Sequence, residues 1–176
     1  MTEIESRGLA TLGAPCLRRL REYLDMAGVA YNVVRHPPRY TAQELAQEEH
    51  VSGKLIAKVV LVMADQQLVM AVIPATSRMN VPWVRTALKA RSVRLATETE
   101  FLGAFPDCEV GAMPPFGNLY HMPVLVDRAL TQDPVIMFNG GAHDVLITMT
   151  YTDFERLVQP KVAIIATGAA GREAPF

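Results

Sequence analysis

Residues 55–63, Leu-Ile-Ala-Lys-Val-Val-Leu-Val-Met, form a near-continuous apolar run with one ammonium group, Lys58, in its middle. β-Branched residues dominate and no polar helical face appears, so the run reads as a β-strand buried on both faces. Strand alternation sends Ile56, Lys58, Val60 and Val62 to one side and Ala57, Val59, Leu61 and Met63 to the other. Whatever the chain folds into must cover both sides. A lysine among apolar neighbours reaches water along its own stem, pairs with an acid, or serves an anionic ligand. The first is the commonest outcome near a strand start, and the remaining sequence has to change the odds.

A second apolar strand follows at 67–74, and Asp65-Gln66 between them fits a tight hairpin turn. Upstream, Leu17, Leu20 and Leu24 fall at i, i+3 and i+7, the stripe of a helix that starts near Ala14 and closes at Gly28. A short strand at 31–35 runs into His36, Pro37 and Pro38, an extended elbow. Thr41 and Glu44 then fit a capping box for a helix to about Glu49. Downstream, 81–89 reads as a helix with Pro82 in its first turn. A strand at 92–96 precedes a helix that Thr97 and Glu100 open and that ends near Phe105. Strands at 123–127 and 134–138 lead to a hairpin signal at Asn139, Gly140 and Gly141, with a return strand from His143 to Met149. Thr152 and Glu155 cap a helix toward Val158, Pro160 stops it, and 162–166 is a last strand. Hairpins outnumber βαβ crossovers. The expected class is α+β, with a mixed, mostly antiparallel sheet, curled or barrel-like, flanked by helices. Residues 14–166 make one domain between a flexible N-terminal segment, 1–13, and a flexible tail, 167–176.

The 176 residues carry a net charge of −1, which gives no bulk drive toward nucleic acid or membrane. An RNA contact then needs a local patch. Arg85, Lys89, Arg91 and Arg94 supply one candidate, and a solvated face is the equal alternative. Trp83, the single tryptophan, packs in a core more often than it stacks on a base. Cys16 and Cys108 make no CxxC, so free thiols in a reducing compartment are expected. The histidines form no HExxH spacing, so no metal site and no cofactor are expected. No apolar run reaches a membrane span and no signal-peptide core is seen, which makes the cytoplasm the expected location.

The segment 111–117, Gly-Ala-Met-Pro-Pro-Phe-Gly, brackets two prolines with two glycines. It is shaped and stiff, able to offer backbone groups to a ligand or to serve as an ordinary connection. Several pieces then match one family in order: His36-Pro-Pro-x-Tyr40-Thr41, Ala57-Lys58-Val-Val-Leu-Val, Gly111 to Gly117, Asn139-Gly-Gly-x-His143, and Asp153-Phe-x-x-Leu157. This order resembles the YbaK-like aminoacyl-tRNA deacylases, relatives of the editing domain inserted in bacterial prolyl-tRNA synthetases. The resemblance runs from about Ala14 to Val158. It implies a barrel-like mixed sheet and metal-free hydrolysis of the ester that joins a wrong amino acid to the tRNA 3′ end.

By the same resemblance Lys58 is the catalytic residue. Substrate binding falls to His36, Tyr40 and Thr41, to Gly111, Met113, Pro114, Pro115, Phe116, Gly117 and Asn118, and to Asn139, Gly140, Gly141 and His143. His143 is open between general base and structural residue. The expected function is a free-standing trans-editing deacylase for a small amino acid, alanine, serine, threonine or cysteine, with tRNA-Pro among the carriers. Its partner is aminoacylated tRNA, with a synthetase as a further candidate and no DNA. Two departures bear on specificity. Met-Pro-Pro-Phe stands where several relatives have Ser-Pro, and Asn139-Gly-Gly stands where some alanyl-specific relatives have a His-Pro-Leu turn. The alternative is a non-catalytic module of the same fold that binds an aminoacyl-adenosine-like ligand or a protein.

Overall fold

A computed structural model describes residues 15–36 and 56–168. The expected proline elbow, Tyr40, Thr41, the helix after it and residues 1–13 lie outside these. α1 (Pro15–Met26) buries Cys16, Leu17, Leu20 and Leu24, the stripe its spacing requires. Gly28, at φ 67°, ends it with its N–H on the Asp25 carbonyl at 3.1 Å, and β1 (Tyr31–Arg35) follows.

The apolar run forms β2 (Ala57–Ala64) and returns as β3 (Gln67–Pro74). Asp65 and Gln66 both take positive φ, 45° and 71°, the turn whose twist matches right-handed strands. After β4 (Arg78–Met79), Asn80 caps α2 (Val81–Leu88) by accepting the Trp83 N–H at 3.1 Å. β5 (Val93–Leu95) precedes α3 (Glu98–Leu102), where the Glu100 carboxylate accepts the Thr97 N–H at 2.8 Å. α3 stops short of the predicted Phe105, at Gly103. A 3-10 turn (Gly117–Tyr120), β6 (Val124–Asp127), a second 3-10 turn (Arg128–Gln132) and β7 (Val135–Asn139) come next. β8 (Val145–Thr150), α4 (Tyr151–Val158), β9 (Lys161–Ala163) and β10 (Ala166–Thr167) complete the order.

α4 is capped by Thr150, whose Oγ accepts the Asp153 N–H at 3.1 Å, and not by Thr152. Both threonines satisfy the sequence rule. The earlier start places Tyr151 in register with buried Phe154 and Val158, and that burial decides. Thr167, expected in the tail, pairs with Arg78.

The strands form three sheets, β5-β2-β3-β6-β9, β1-β8-β7 and β10-β4. Only β3–β6 and β6–β9 are parallel among these pairings. The fold is α+β with mixed, mostly antiparallel pairing, but the expected barrel is corrected: no sheet closes or curls strongly. Closure would need β7 to ladder along β2. β5 takes β2 only at Val62, Met63 and Ala64, and β7 meets the rest of that edge through one bridge, Ile56 to Met137.

The five-stranded sheet is covered on both sides, as the strand pattern demanded. Ala57 and Leu61 of β2 and Met70 and Val72 of β3 join the main core with Leu17, Phe116, Phe138 and Phe154. Val62, Ala71 and Ile73 face a second cluster with Val84 of α2 and Ile165. A third, small cluster of Ile56, Ala75, Met137 and Leu146 lies at the mouth of β2.

Free thiols were expected, and here the structure differs. Cys16 and Cys108 are joined as a disulfide, Cα to Cα 5.1 Å, across 92 residues. The Cys16 N–H bonds the Asp107 carbonyl at 3.2 Å, so tertiary structure brings together two cysteines whose spacing carries no signal. Asp107 lies beside both sulfurs. The step from free thiols to a reducing compartment therefore no longer holds.

Candidate functional site

Lys58 sits in β2 opposite Ile73. It is half-buried, and its Nζ donates to the Ala75 carbonyl at 3.2 Å. No carboxylate among the described residues pairs with it. Burial holds the ammonium below the ordinary lysine pKa, and the positive charge of Arg78 pushes in the same direction. The fold thus places two cations near one another at the mouth of β2 with nothing anionic between them in the described chain. That arrangement costs free energy in the empty protein and is relieved by an anion.

The neighbours of Lys58 follow from register. From the Ile56–Met137 bridge, both chains run on two residues, to Lys58 and to Asn139, in parallel. Asn139 shares the side of Met137, as Lys58 shares that of Ile56. Asn139 pairs with Leu146, and Leu146 pairs with Val34. The β1–β8 ladder continues to His36, whose N–H bonds the Asp144 carbonyl at 3.0 Å, and alternation puts His36 on the side of Val34. Lys58, Asn139 and His36 therefore share one face, over an apolar floor of Met137, Leu146 and Val34.

A second group forms around the glycine–proline loop. The Gly141 N–H bonds the Ala112 carbonyl at 2.9 Å, and the Glu109 N–H bonds the Gly141 carbonyl at 2.9 Å. The His143 N–H donates to the Glu109 carboxylate at 2.7 Å. Its ring Nε2 lies 2.8 Å from the Val110 carbonyl; a carbonyl only accepts, so Nε2 is the donor in this contact. Gly111, at φ 84°, lies under that ring. Gly141, at φ 98°, passes so close to Cys16 that a Cβ would stand 2.5 Å from its sulfur.

The segment that leads into the loop and the 139–143 turn are thus one hydrogen-bonded unit. The loop's side chains point elsewhere. Met113 and Phe116 are buried in the main core, and Phe116 packs on Tyr23, Phe138 and Phe154 with ring centroids 5.5–6.2 Å apart. Pro114 and Pro115 are also buried. A Cβ on Gly117 would stand 2.6 Å from the Met122 carbonyl oxygen, so the glycine serves a close turn. The Asn118 side chain donates to the Tyr23 hydroxyl at 3.0 Å. Gly140 is pressed against Val145 and Ile147. Lys58 leaves β2 on the face opposite the core that holds Met113 and Phe116. No hydrogen bond among the described residues links it to the loop.

Arg78 was not singled out from the sequence. It lies in an unremarkable loop-like stretch, and only the pairing of β4 with β10 brings it toward Lys58. The basic candidate patch is also revised. Arg94 is held in a two-pronged pair by Glu100, at 2.6 and 2.8 Å, while Arg85 and Lys89 remain unpaired among the described residues.

The model of the aminoacyl-tRNA editing domain family matches residues 36–157. No curated protein matches the chain. Among solved structures, a candidate trans-editing enzyme for prolyl-tRNA synthetase superposes with a TM-score of 0.78 at 23% identity, covering 89% of this chain and 99% of that one. The hypothetical protein APE2540 gives 0.75 at 23%, covering 84% and 98%. A scaffold protein used for computational epitope grafting gives 0.77 at 20%, covering 89% and 99%. At these identities the likeness is one of fold.

Proposed function

The chain belongs to the aminoacyl-tRNA editing domain family, and on that premise we propose that it is a deacylase acting in trans on mischarged tRNA in the cytosol. The reaction adds water across the acyl C–O bond. Hydroxide goes to the carbonyl carbon, a proton goes to the departing ribose oxygen, and the products are a free amino acid and an intact tRNA 3′ end.

One observation carries this reading: a half-buried Lys58 cation that lacks a carboxylate partner among the described residues and is crowded by Arg78. A phosphate 4 Å from such a charge gains about 4 kcal/mol at an effective dielectric of 20. Binding the terminal phosphate or ribose at Lys58 would hold the ester over the face that carries Asn139 and His36. Hydrogen bonds aimed at the developing oxyanion contribute about 10²–10³ in rate in comparable sites. The described residues include no Ser–His–Asp or Cys–His arrangement with a free nucleophile, since both cysteines are in the disulfide. In this reading water is the nucleophile, assisted by the tRNA 2′-hydroxyl. Lys58 positions and neutralises; it is not assigned a proton transfer. Small side chains, alanine, serine, threonine or cysteine, are the proposed cargo, with tRNA-Pro as the first carrier to try.

The test is a panel of mischarged tRNAs incubated with the protein, following loss of the esterified amino acid. Release above the spontaneous rate for at least one small amino acid supports the deacylase. Tight binding of an aminoacyl-adenosine analogue with no release from any tRNA would instead make this a binding module.

A further inference from the structure

A cavity of about 390 Å³ opens between α2, the 3-10 turn after β6 and the segment 162–164. Its walls include Trp83, Thr86 and Ala87 from the helix and Arg128 from the turn. The volume falls at the lower end of small-molecule sites. It belongs to none of the motifs discussed above.

The cavity is built and not incidental. Asp127, 1% exposed, accepts the Ala129 N–H at 2.9 Å with one carboxylate oxygen. With the other it accepts the N–H groups of Ile165 and Ala166 at 2.9 and 3.0 Å. One buried carboxylate thus ties the turn that carries Arg128 to the strand segment that forms the opposite wall. Asn80 ties in the third wall: its N–H bonds the Ile165 carbonyl at 2.7 Å, and its side chain caps α2 at Trp83. Trp83 and Arg128 thus meet at one opening whose walls are tied together. Arg128 has no carboxylate partner among the described residues. That chemistry fits a flat heteroaromatic ring joined to an anion.

The position bears on which ligand that is. Lys58 is opposite Ile73, Val72 is opposite Val126, and Asp127 is opposite Ala163. Lys58 and the cavity wall therefore lie on one cross-strand row, three strand spacings or about 14 Å apart. They share a face as well, because Ile73, Leu125 and Ala163 all join the cluster that packs on α2. Arg85 on α2 and Lys89 at its C-cap add exposed positive charge without a carboxylate partner among the described residues. Ile73 and Asp127, between Lys58 and the cavity, are buried, so a single strand whose 3′ end rests at Lys58 reaches the cavity only over the surface, by a path longer than the row.

We propose that this cavity is an RNA subsite that takes one nucleotide upstream of the aminoacylated 3′ end, its base stacked on Trp83 and its phosphate on Arg128. The proposal rests on the deacylase reading for the identity of the RNA and goes beyond it by locating a second anchor. Loss of one phosphate contact lowers the salt dependence of binding by about one counterion, and stacking contributes about 1–3 kcal/mol per base.

Trp83 is the only tryptophan in the chain, so its fluorescence reports this cavity alone. The protein is titrated with an uncharged RNA hairpin that ends in a single-stranded 3′ CCA, following Trp83 emission and, in parallel, anisotropy of a label on the RNA. The expected result is saturable quenching that tracks anisotropy. Arg128→Ala weakens both by about tenfold, one phosphate contact in scale, while Arg156→Ala, an arginine paired with Asp153 on α4, leaves them unchanged. RNA binding with unaltered Trp83 emission overturns the subsite, as does an Arg128→Ala protein that binds like wild type, or no RNA binding at all. Hydrolysis of mischarged tRNA without a Trp83 response refutes the subsite and spares the deacylase. A Trp83 response without hydrolysis does the reverse.

Discussion

Replacing Lys58 by methionine keeps the stem and removes the charge, and the consequences for activity and stability have opposite signs. At 4 Å and an effective dielectric of 20, an ammonium–phosphate contact contributes about 4 kcal/mol. Lys58 is only half-buried, so solvent reduces that figure, and a loss of about 10²- to 10³-fold in kcat/KM is expected. Stability moves differently. The folded pKa of Lys58 is lowered by burial and then by Arg78. The unfolded chain therefore binds more protons between that value and the ordinary lysine pKa of about 10.4. The penalty is present in full near neutral pH and fades as pH rises through this window. Methionine removes it, at the cost of the bond to the Ala75 carbonyl. Solvent screens a half-buried charge, and the bond offsets part of the penalty, so stability should hold or rise slightly, by up to about 1 kcal/mol. The assay pairs single-turnover deacylation with urea unfolding of both proteins at neutral pH. A variant that deacylates like wild type refutes the role of the charge. A variant destabilised by several kcal/mol refutes the claim that the cation is held at a cost.

Other consequences follow from the same structure. With the proposed role of the Lys58 cation, kcat/KM should fall as pH rises through its lowered pKa, and Lys58→Arg should carry that limb to higher pH; a profile corrected for spontaneous ester hydrolysis reads it. Reducing the Cys16–Cys108 disulfide, which closes 92 residues, should lower stability by about 2–4 kcal/mol, measured as the difference in urea midpoint with and without a dithiol. Gly141→Ala meets both a φ of 98° and the Cys16 sulfur 2.5 Å away, and should cost about 2 kcal/mol or more; equal unfolding curves would contradict the packing. His143→Ala removes a ring that bonds Val110 without a substrate contact being required, so deacylation should fall by less than about tenfold, against the 10² or more of a general base.

Local chemistry was legible in the sequence where a residue's own neighbours decide the outcome. The apolar run at β2, the positive-φ turn at Asp65 and Gln66, Pro82 in the first turn of α2 and the Thr97–Glu100 box all formed as read. Outcomes that depend on distant segments did not announce themselves. Cys16 and Cys108 meet only because α1 docks on the 107–112 segment. Thr150 takes the cap from Thr152 because Tyr151 is needed in the core. The barrel fails to close because one bridge replaces a ladder at Ile56. Phe116 illustrates the same limit within the candidate site. Its motif suggested a ligand, whereas its side chain completes an aromatic cluster with Phe138 and Phe154. Asp127 and Arg78 carried no motif at all, yet the first ties together the cavity and the second crowds Lys58.

The proposed reaction is cleavage of an aminoacyl ester by water with the help of the Lys58 charge. It is tested most directly by single-turnover reaction of a mischarged tRNA in ¹⁸O-labelled water, with mass analysis of both products. The expected products are an amino acid that gains one ¹⁸O and a tRNA that gains none, with release slowed by about 10²- to 10³-fold in Lys58→Met. A release rate at the spontaneous level in the wild-type protein, for every small amino acid tried, would contradict it.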